Sequence, residues 1–280
     1  MKTVGIIDYY INEWHADNYP AWLDDANREL GTDYKVKYVW AELEESLWNG
    51  LKTDDWCEKF GAEKCESIKE LCEKSDVVMI LAPSDPQTHL GYAEEAFKYA
   101  KIIYIDKTFA PDLETAKKIF ALSEKYKVPF FSSSALRYSS ELNELGNCST
   151  MIITGGGSNL NEYIIHTCEI AIRMMGFDQY KVDVIKQKDQ RIIRCVGKEK
   201  EFTICYARPY DFSVCAQNEE KGKHVRLRSA FFNGLLNDIV RFFETGKCSF
   251  DTRETLQVMA LRDAILKADE IGETVYSVEV

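Results

Sequence analysis

The chain has 280 residues, of which 45% are hydrophobic and 29% are charged, and its formal net charge at pH 7 is -11. This length allows two compact domains, and the composition is typical of globular proteins without disorder or repeats. The negative charge disfavours nucleic acid and anionic membrane as partners, because both carry dense negative charge. A small polar substrate is therefore the expected partner.

The segment after Met1 is a strand-length apolar run, too short for a signal peptide or a membrane span, so we expect a cytoplasmic protein. The nine cysteines form no CxxC pair, which indicates reduced thiols. We interpret most of them as small apolar core residues. Cys57, Cys65 and Cys72 are widely spaced and have no histidine nearby, which argues against a zinc cluster. No metal is expected.

The first half of the chain alternates short apolar runs with amphipathic segments, the pattern of a parallel sheet with helical crossovers. The predicted strands are TVGIIDY, YKVKYVWA, DVVMILAP, KIIYID and VPFFSSS. The first helix is predicted over PAWLDDANREL, with Pro20 in its first turn and Gly31 as its C-terminal cap. Further helices are predicted around Cys57 and over residues 67–74, 89–99 and 113–126. This pattern predicts a Rossmann-type, doubly wound α/β domain over residues 1–133.

A different pattern begins near Ser149. MIIT is a predicted strand, GGG at residues 155–157 an entry loop, and EYIIHTCEIAIRMM a helix that ends at Gly176. Consecutive strand-like runs without helices between them indicate an antiparallel sheet; they are YKVDVIKQ, RIIRCVG, EFTICYARP and FSVCAQN, with HVRLRS as a candidate fifth. Two helices near residues 231–244 and 253–271 complete an α+β domain with a mostly antiparallel sheet over residues 134–280. A ligand site is expected where the two domains meet.

Three segments resemble the glucose-fructose oxidoreductase/inositol dehydrogenase/MocA-like family. Residues 75–138 are similar to the family's D-x-V-x-I-x-T-P strand, a histidine that opens a helix, and an E-K-P turn. Residues 155–176 resemble its G-x-L-x-D-x-G-x-H-x-x-D stretch, and residues 60–78 its linker into the core strand. The resemblance implies an NAD(P)-dependent oxidoreductase that transfers hydride between a nicotinamide and a hydroxyl carbon of a sugar- or polyol-like substrate. It also implies a homo-oligomer.

The catalytic residues that the resemblance implies are Lys107, His166 and Glu162. Lys107 directly follows KIIYID, at the sheet edge where such folds bind ligands, and would place a cation near the substrate oxygen. His166 would accept the alcohol proton, and Glu162, four residues earlier on the same helix face, would orient it. Lys107 as a solvated strand-end lysine and His166 as a hydrogen-bonded core residue are the structural alternatives.

Two other functions remain open. Glu162, His166 and Glu169 share a helix face in the manner of metal ligands, which suggests a metal-assisted hydrolase, although Glu169 is more readily interpreted as a structural carboxylate. The other alternative is a non-redox ligand-binding or regulatory member of the family that has lost ordinary dinucleotide binding.

The turn after the first strand argues for that loss. A dinucleotide turn uses glycines so that the pyrophosphate approaches backbone N–H groups at a helix N-terminus. Asp8 and Tyr10 occupy the first two glycine positions here, and Glu13 lies near the third. Their side chains would block the approach, and the carboxylates would repel a diphosphate. NAD is therefore the expected cofactor only in a mode other than the usual glycine loop.

The residues expected to line the cofactor half of the site are Asp8, Tyr9, Tyr10, Glu42, Pro83 and His89. Either Glu42 or Glu44 would accept hydrogen bonds from an adenosine ribose and disfavour NADP, with a solvated acidic loop as the alternative. If the helix begins at Pro20, the aromatic side chains of residues 9–19 would form a wall or lid. Thr108 stands where the family has proline, so a trans peptide is expected after Lys107.

Overall fold

A computed structural model describes residues 1–83, 85–217 and 221–280. Asn218, the last residue of the predicted strand FSVCAQN, lies outside these ranges. The described chain forms two compact units.

The first unit contains Met1–Ser133 and Leu235–Phe250, and the second contains Ser134–Gly234 and Asp251–Val280. Residues 235–250 thus group with the first unit, whereas the sequence placed them in the second domain. Aromatic packing accounts for the difference: the Phe242 ring lies 4.9 Å from that of Phe131, and the Phe243 ring lies 5.8 Å from that of Tyr34.

The first unit is built on a six-stranded sheet. Its strands are β1 (Lys2–Asp8), β2 (Tyr34–Ala41), β3 (Glu63–Lys64), β4 (Val77–Ile80), β5 (Ile103–Ile105) and β6 (Phe130–Phe131). Its crossover helices are α1 (Trp14–Leu30), α2 (Thr53–Phe60), α3 (Ile68–Lys74), α4 (His89–Ala96) and α5 (Leu113–Tyr126). The order β3-β2-β1-β4-β5-β6, with every pair parallel, confirms the predicted doubly wound fold.

Helix α1 begins at Trp14, so the predicted start at Pro20 is wrong. The side chain of Glu13 accepts hydrogen bonds from the first backbone N–H groups of the helix, and Pro20 lies inside it. Capping and the burial of Ala16 and Tyr19, each at most 1% exposed, outweigh the proline's missing donor. Tyr19 is therefore a core residue and not part of an aromatic lid.

The second unit is built on a seven-stranded sheet. Its strands are β7 (Thr150–Gly155), β8 (Lys181–Gln187), β9 (Gln190–Val196), β10 (Glu201–Ala207), β11 (Ser213–Gln217), β12 (Gly222–Arg226) and β13 (Val275–Tyr276), in the order β12-β11-β7-β10-β9-β8-β13. The later helices of the chain are α6 (Leu160–Met175), α7 (Phe231–Thr245) and α8 (Arg253–Ile271). Only the β7–β10 pair is parallel among the described pairs, so the mostly antiparallel sheet is confirmed, and HVRLRS contributes β12.

The two faces of this sheet differ. Met151, Ile153 and Ile204 are at most 1% exposed, on the face that packs against α6. The opposite face exposes apolar side chains, with Ile152 at 45% and Ile185 at 57%.

Within the described ranges, every helix is too short or too polar to span a bilayer.

The glycine run at residues 155–157 is a close-packed segment. A Cβ on Gly156 would meet the carbonyl oxygen of Ala207, and a Cβ on Gly157 would meet the Tyr163 ring. Glycines are therefore required in this predicted entry loop, because the backbone and a ring lie too close to it for a side chain.

We predict that Gly156→Ala lowers the free energy of unfolding by about 1–3 kcal/mol or more, because the new methyl group overlaps backbone. Gly91→Ala is the matched control: Gly91 is in α4 with nothing within 4 Å of a built Cβ, so alanine should be neutral or stabilise by up to ~1 kcal/mol. Denaturant unfolding of both variants tests this, and equal stabilities would contradict it.

Candidate functional site

The turn between β1 and α1 holds an anion that belongs to the chain. The Glu13 carboxylate accepts hydrogen bonds from the backbone N–H of His15 at 2.8 Å and of Ala16 at 2.5 Å. Glu13 is only 7% exposed. Its carboxylate therefore takes the position that a bound anion takes at the N-terminus of a helix.

Asp8 lies at the carboxyl end of β1, beside this turn. Its Oδ1 accepts hydrogen bonds from the backbone N–H of Tyr9 at 2.7 Å and of Ala82 at 3.1 Å. Its buried Oδ2 has no hydrogen-bond partner among the residues that the structure describes. Burial raises the pKa of Asp8 well above its ordinary value, and the nearby Glu13 carboxylate raises it further. Both effects favour the neutral acid.

The space next to these carboxylates is small. A cavity of about 10 Å³ is lined by Asp8, Tyr9, Tyr10, Glu13, Ala82, Pro83 and Asp85. This volume holds about one water molecule. Because the helix N–H groups are occupied and the lining is acidic, these residues do not fit a diphosphate bound in the usual way.

Glu42 and Glu44 have separate partners. Glu42 Oε2 accepts a hydrogen bond from the Tyr92 hydroxyl at 2.6 Å, and the backbone N–H of Glu42 donates to the backbone carbonyl oxygen of Asp8 at 3.1 Å. Glu44 instead pairs with Lys64. Glu42 is thus held directly after β2, on the tyrosine hydroxyl, whereas Glu44 is held by a lysine.

His89 lies in the core of the first unit and is fully buried. Its Nδ1 lies 3.0 Å from the carbonyl oxygen of Phe109, and its Nε2 lies 2.9 Å from that of Leu81. Burial lowers the pKa of the imidazole. The prediction that His89 binds the cofactor requires an imidazole that can reach a ligand. Instead, both ring nitrogens face backbone carbonyl oxygens, so the ring connects the segment after β4 to the segment after β5. We therefore interpret His89 as a positioning residue.

Lys107 follows β5 and is partly exposed. Its ammonium makes no ion pair with the residues that the structure describes. The Lys107–Thr108 peptide is cis, so the expected trans peptide is wrong. The expectation used only the local preference of non-proline bonds, whereas Thr108 and Phe109 are packed in the core at 3% and 2% exposure.

A buried hydrogen-bond cluster surrounds Asp106, the residue before Lys107. Asp106 Oδ1 accepts from the hydroxyls of Tyr19 at 3.1 Å and Tyr104 at 2.9 Å. His15 Nε2 lies 3.7 Å from Asp106 Oδ2. Sequence reasoning missed this cluster. The period of two in a strand, which places Tyr104 and Asp106 on one face, was the available signal.

In the second unit, His166 is held by a serine. Its Nδ1 lies 2.7 Å from Ser134 Oγ, and its ring packs edge-on to that of Phe212 at 5.8 Å. Glu162 lies in the first turn of α6, where its Oε2 accepts a hydrogen bond from the Asn159 side chain at 3.0 Å. The sequence assigned the orienting contact to Glu162, and it gave no signal for Ser134.

Glu169 belongs to a buried ionic cluster. Its Oε1 accepts from Arg137 Nε at 2.5 Å, and Arg137 Nη2 donates to Glu254 at 2.5 Å. Glu169 and Arg137 are 4% and 6% exposed, so breaking this pair would leave a buried charge uncompensated. Among the described residues, no three His, Cys, Asp or Glu side chains are arranged to hold a metal ion.

Comparison with known proteins identifies relatives. Residues 17–134 match the model of the GFO_IDH_MocA oxidoreductase family, described as having an NAD-binding Rossmann fold. A search of the curated proteins finds no match.

Solved structures share the fold along nearly the whole chain. A probable dehydrogenase from Thermotoga maritima has a TM-score of 0.79 at 14% identity, covering 98% of this chain and 98% of that chain. A myo-inositol dehydrogenase from Corynebacterium glutamicum has a TM-score of 0.77 at 14% identity, covering 100% of both chains. GenD2 from gentamicin A biosynthesis, solved with NAD, has a TM-score of 0.80 at 12% identity, covering 99% of this chain and 96% of that chain.

We predict that Asp8→Asn stabilises the protein at neutral pH. Between the ordinary pKa of 3.8 and the raised pKa in the fold, the folded protein keeps a proton that the unfolded chain has lost, so stability falls as pH rises. The neutral amide removes this loss, and the melting temperature should rise by about 2–4 °C for each kcal/mol gained.

Thermal unfolding at about pH 4 and about pH 8 measures the effect, which should be larger at the higher pH. Asp24→Asn, at an exposed position of α1, is the control and should change little. A gain that is the same at both pH values would contradict the prediction.

Proposed function

Because the chain belongs, through residues 17–134, to an oxidoreductase family with an NAD-binding Rossmann fold, we propose that it is an NAD-linked oxidoreductase. Its substrate is a small sugar- or polyol-like molecule that is oxidised at a hydroxyl carbon. The observation that carries the proposal is the position of Lys107 just after β5 of the parallel sheet. Its ammonium group has no ion-pair partner among the described residues.

The substrate class is supported by two similar folds. One is a myo-inositol dehydrogenase and another was solved with NAD. Cyclitols and sugars present several hydroxyl groups and no charge, which suits a protein with a net charge of -11. NAD, when bound, supplies the hydride acceptor.

The chain's own residues would handle the oxygen and its proton. Lys107 would stabilise the negative charge that develops on the substrate oxygen as the O–H bond breaks. His166 would accept that proton at Nε2 in the tautomer whose Nδ1–H donates to Ser134 Oγ, 2.7 Å away. Glu162 lies one helical turn before His166 in α6 and would orient it indirectly. Its own carboxylate accepts a hydrogen bond from the Asn159 side chain.

The exposed face of the second sheet supports a homo-oligomer. Ile152 and Ile185 are 45% and 57% exposed, and burying these side chains against a second copy would remove apolar surface from water. Light scattering at several concentrations, with Ile152→Asp as the disrupting variant, measures the assembly directly.

A non-redox ligand-binding protein is the second candidate, and one observation favours it. The anion position at the start of α1 is filled by the Glu13 carboxylate. A family member with this turn would bind a polar ligand without a dinucleotide.

Titration with NADH and NADPH, followed by nicotinamide fluorescence, tests the two candidates. The oxidoreductase predicts a saturable signal with NADH, and turnover of at least one member of a panel of cyclitols and aldoses. Saturable binding of a panel member without any nucleotide signal would support the binding protein instead.

We predict that Lys107→Met and His166→Asn each lower kcat by about 10²–10⁴-fold, since each removes a charge-stabilising or proton-accepting group. Ser134→Ala should have a smaller effect on kcat because it removes only the hydrogen bond that orients His166. Steady-state kinetics on the substrate found in the panel measures these effects.

Matched controls separate local chemistry from general damage. Lys101→Met replaces an exposed lysine, and His224→Asn replaces an exposed histidine; both variants should keep full activity. Unchanged activity of Lys107→Met or His166→Asn would remove that residue from the mechanism.

A further inference from the structure

The β1–α1 turn contains an intramolecular substitute for a phosphate. In a Rossmann fold, the first N–H groups of this helix are the donors that receive a dinucleotide's diphosphate. Here the Glu13 carboxylate already receives two of them, at 2.8 and 2.5 Å. The donors that the fold provides for a ligand are thus used by the chain itself.

We infer that Glu13 is an affinity- and specificity-determining residue of the nucleotide site, where it occupies the backbone donors that a diphosphate would otherwise use. This inference rests on the proposed function, in which the protein binds a nucleotide cofactor. It adds that the diphosphate contributes no affinity to nucleotide binding in this protein.

Independent features of the turn support this assignment. Asp8, which is 1% exposed, lines the same cavity as Glu13, and within the described part of the chain its buried Oδ2 has no hydrogen-bond partner. Asp85 lines this cavity as well. The cavity has a volume of about 10 Å³, which is too small for a diphosphate. A diphosphate would therefore have to displace the Glu13 side chain and then lie against further carboxylates.

On the ribose side of the site, the candidate acceptor is Glu42. Glu42 is held directly after β2, and its carboxylate accepts a hydrogen bond from the Tyr92 hydroxyl. The wild-type protein should therefore bind adenosine about as tightly as ADP, whereas a glycine-turn protein favours ADP.

The decisive variant is Glu13→Ser. Serine is a strong N-cap residue, so it keeps the start of α1 while it removes the charge and most of the side chain. We expect ADP and inorganic pyrophosphate to bind at least about tenfold more tightly to this variant than to wild type. Adenosine binding should not change. Glu13→Gln removes the charge without making room, so a smaller gain identifies the steric contribution.

Isothermal titration calorimetry with adenosine, ADP and pyrophosphate on the full chain measures these affinities. Glu29→Ser, at an exposed position in the last turn of α1, is the control and should bind each ligand as wild type does. Far-ultraviolet circular dichroism verifies that α1 and the fold persist in each variant.

The outcomes separate this inference from the proposed function. Wild-type protein that binds ADP at least about tenfold more tightly than adenosine would overturn the inference, even where no variant folds. An unchanged pyrophosphate affinity in Glu13→Ser would also overturn it, while NADH-dependent turnover would leave the oxidoreductase standing. A gain for pyrophosphate in Glu13→Ser, without adenosine or NADH binding to either protein, would support the inference and contradict NAD-linked activity.

Discussion

The first N–H groups of α1 need hydrogen-bond acceptors, and the Glu13 carboxylate provides them. Residues 9–13 contain no glycine, so the backbone of this turn is not open to a phosphate, and the chain supplies its own anion. Capping at Glu13 lets the helix start at Trp14 and places Tyr19 in the core, where its hydroxyl bonds Asp106. One side-chain contact thus connects the turn, the helix and the edge of the sheet.

The same edge collects buried acids. Asp8 and Asp106 are each 1% exposed, and each has one carboxylate oxygen without a hydrogen-bond partner in the described ranges. Burying an ionised carboxylate is costly, which is why the pKa of Asp8 is raised. Such perturbed groups are typical of functional sites. Lys107 brings a positive charge to this acidic edge directly after Asp106.

The second unit positions His166 through a network of hydrogen bonds and ion pairs. Arg137 binds Glu169 of α6 and Glu254 of α8 through its side chain, and thereby ties the segment that begins at Ser134 to both helices. Ser134 then contacts His166 on α6. Glu169, which shares a helix face with His166, therefore contributes to the position of the serine that orients the imidazole.

Sequence periodicity determined the layers of both units. Apolar runs separated by helices specified the parallel sheet, and consecutive strands specified the mostly antiparallel one, because these patterns depend only on which faces must be buried. The motif around Lys107 identified the family, and the missing glycines identified the turn that does not fit a diphosphate. These features are local, so a single sequence carries them.

Tertiary structure alone decided the contacts between distant residues. The capping of α1, the isomer of the Lys107–Thr108 peptide, the grouping of residues 235–250 with the first unit, and the pairing of Ser134 with His166 do not follow from local propensity. Each depends on burial and on partners supplied by side-chain geometry or by residues far apart in the chain. Helix propensity placed the start of α1 at Pro20 because it does not register a carboxylate that folds back onto backbone N–H groups.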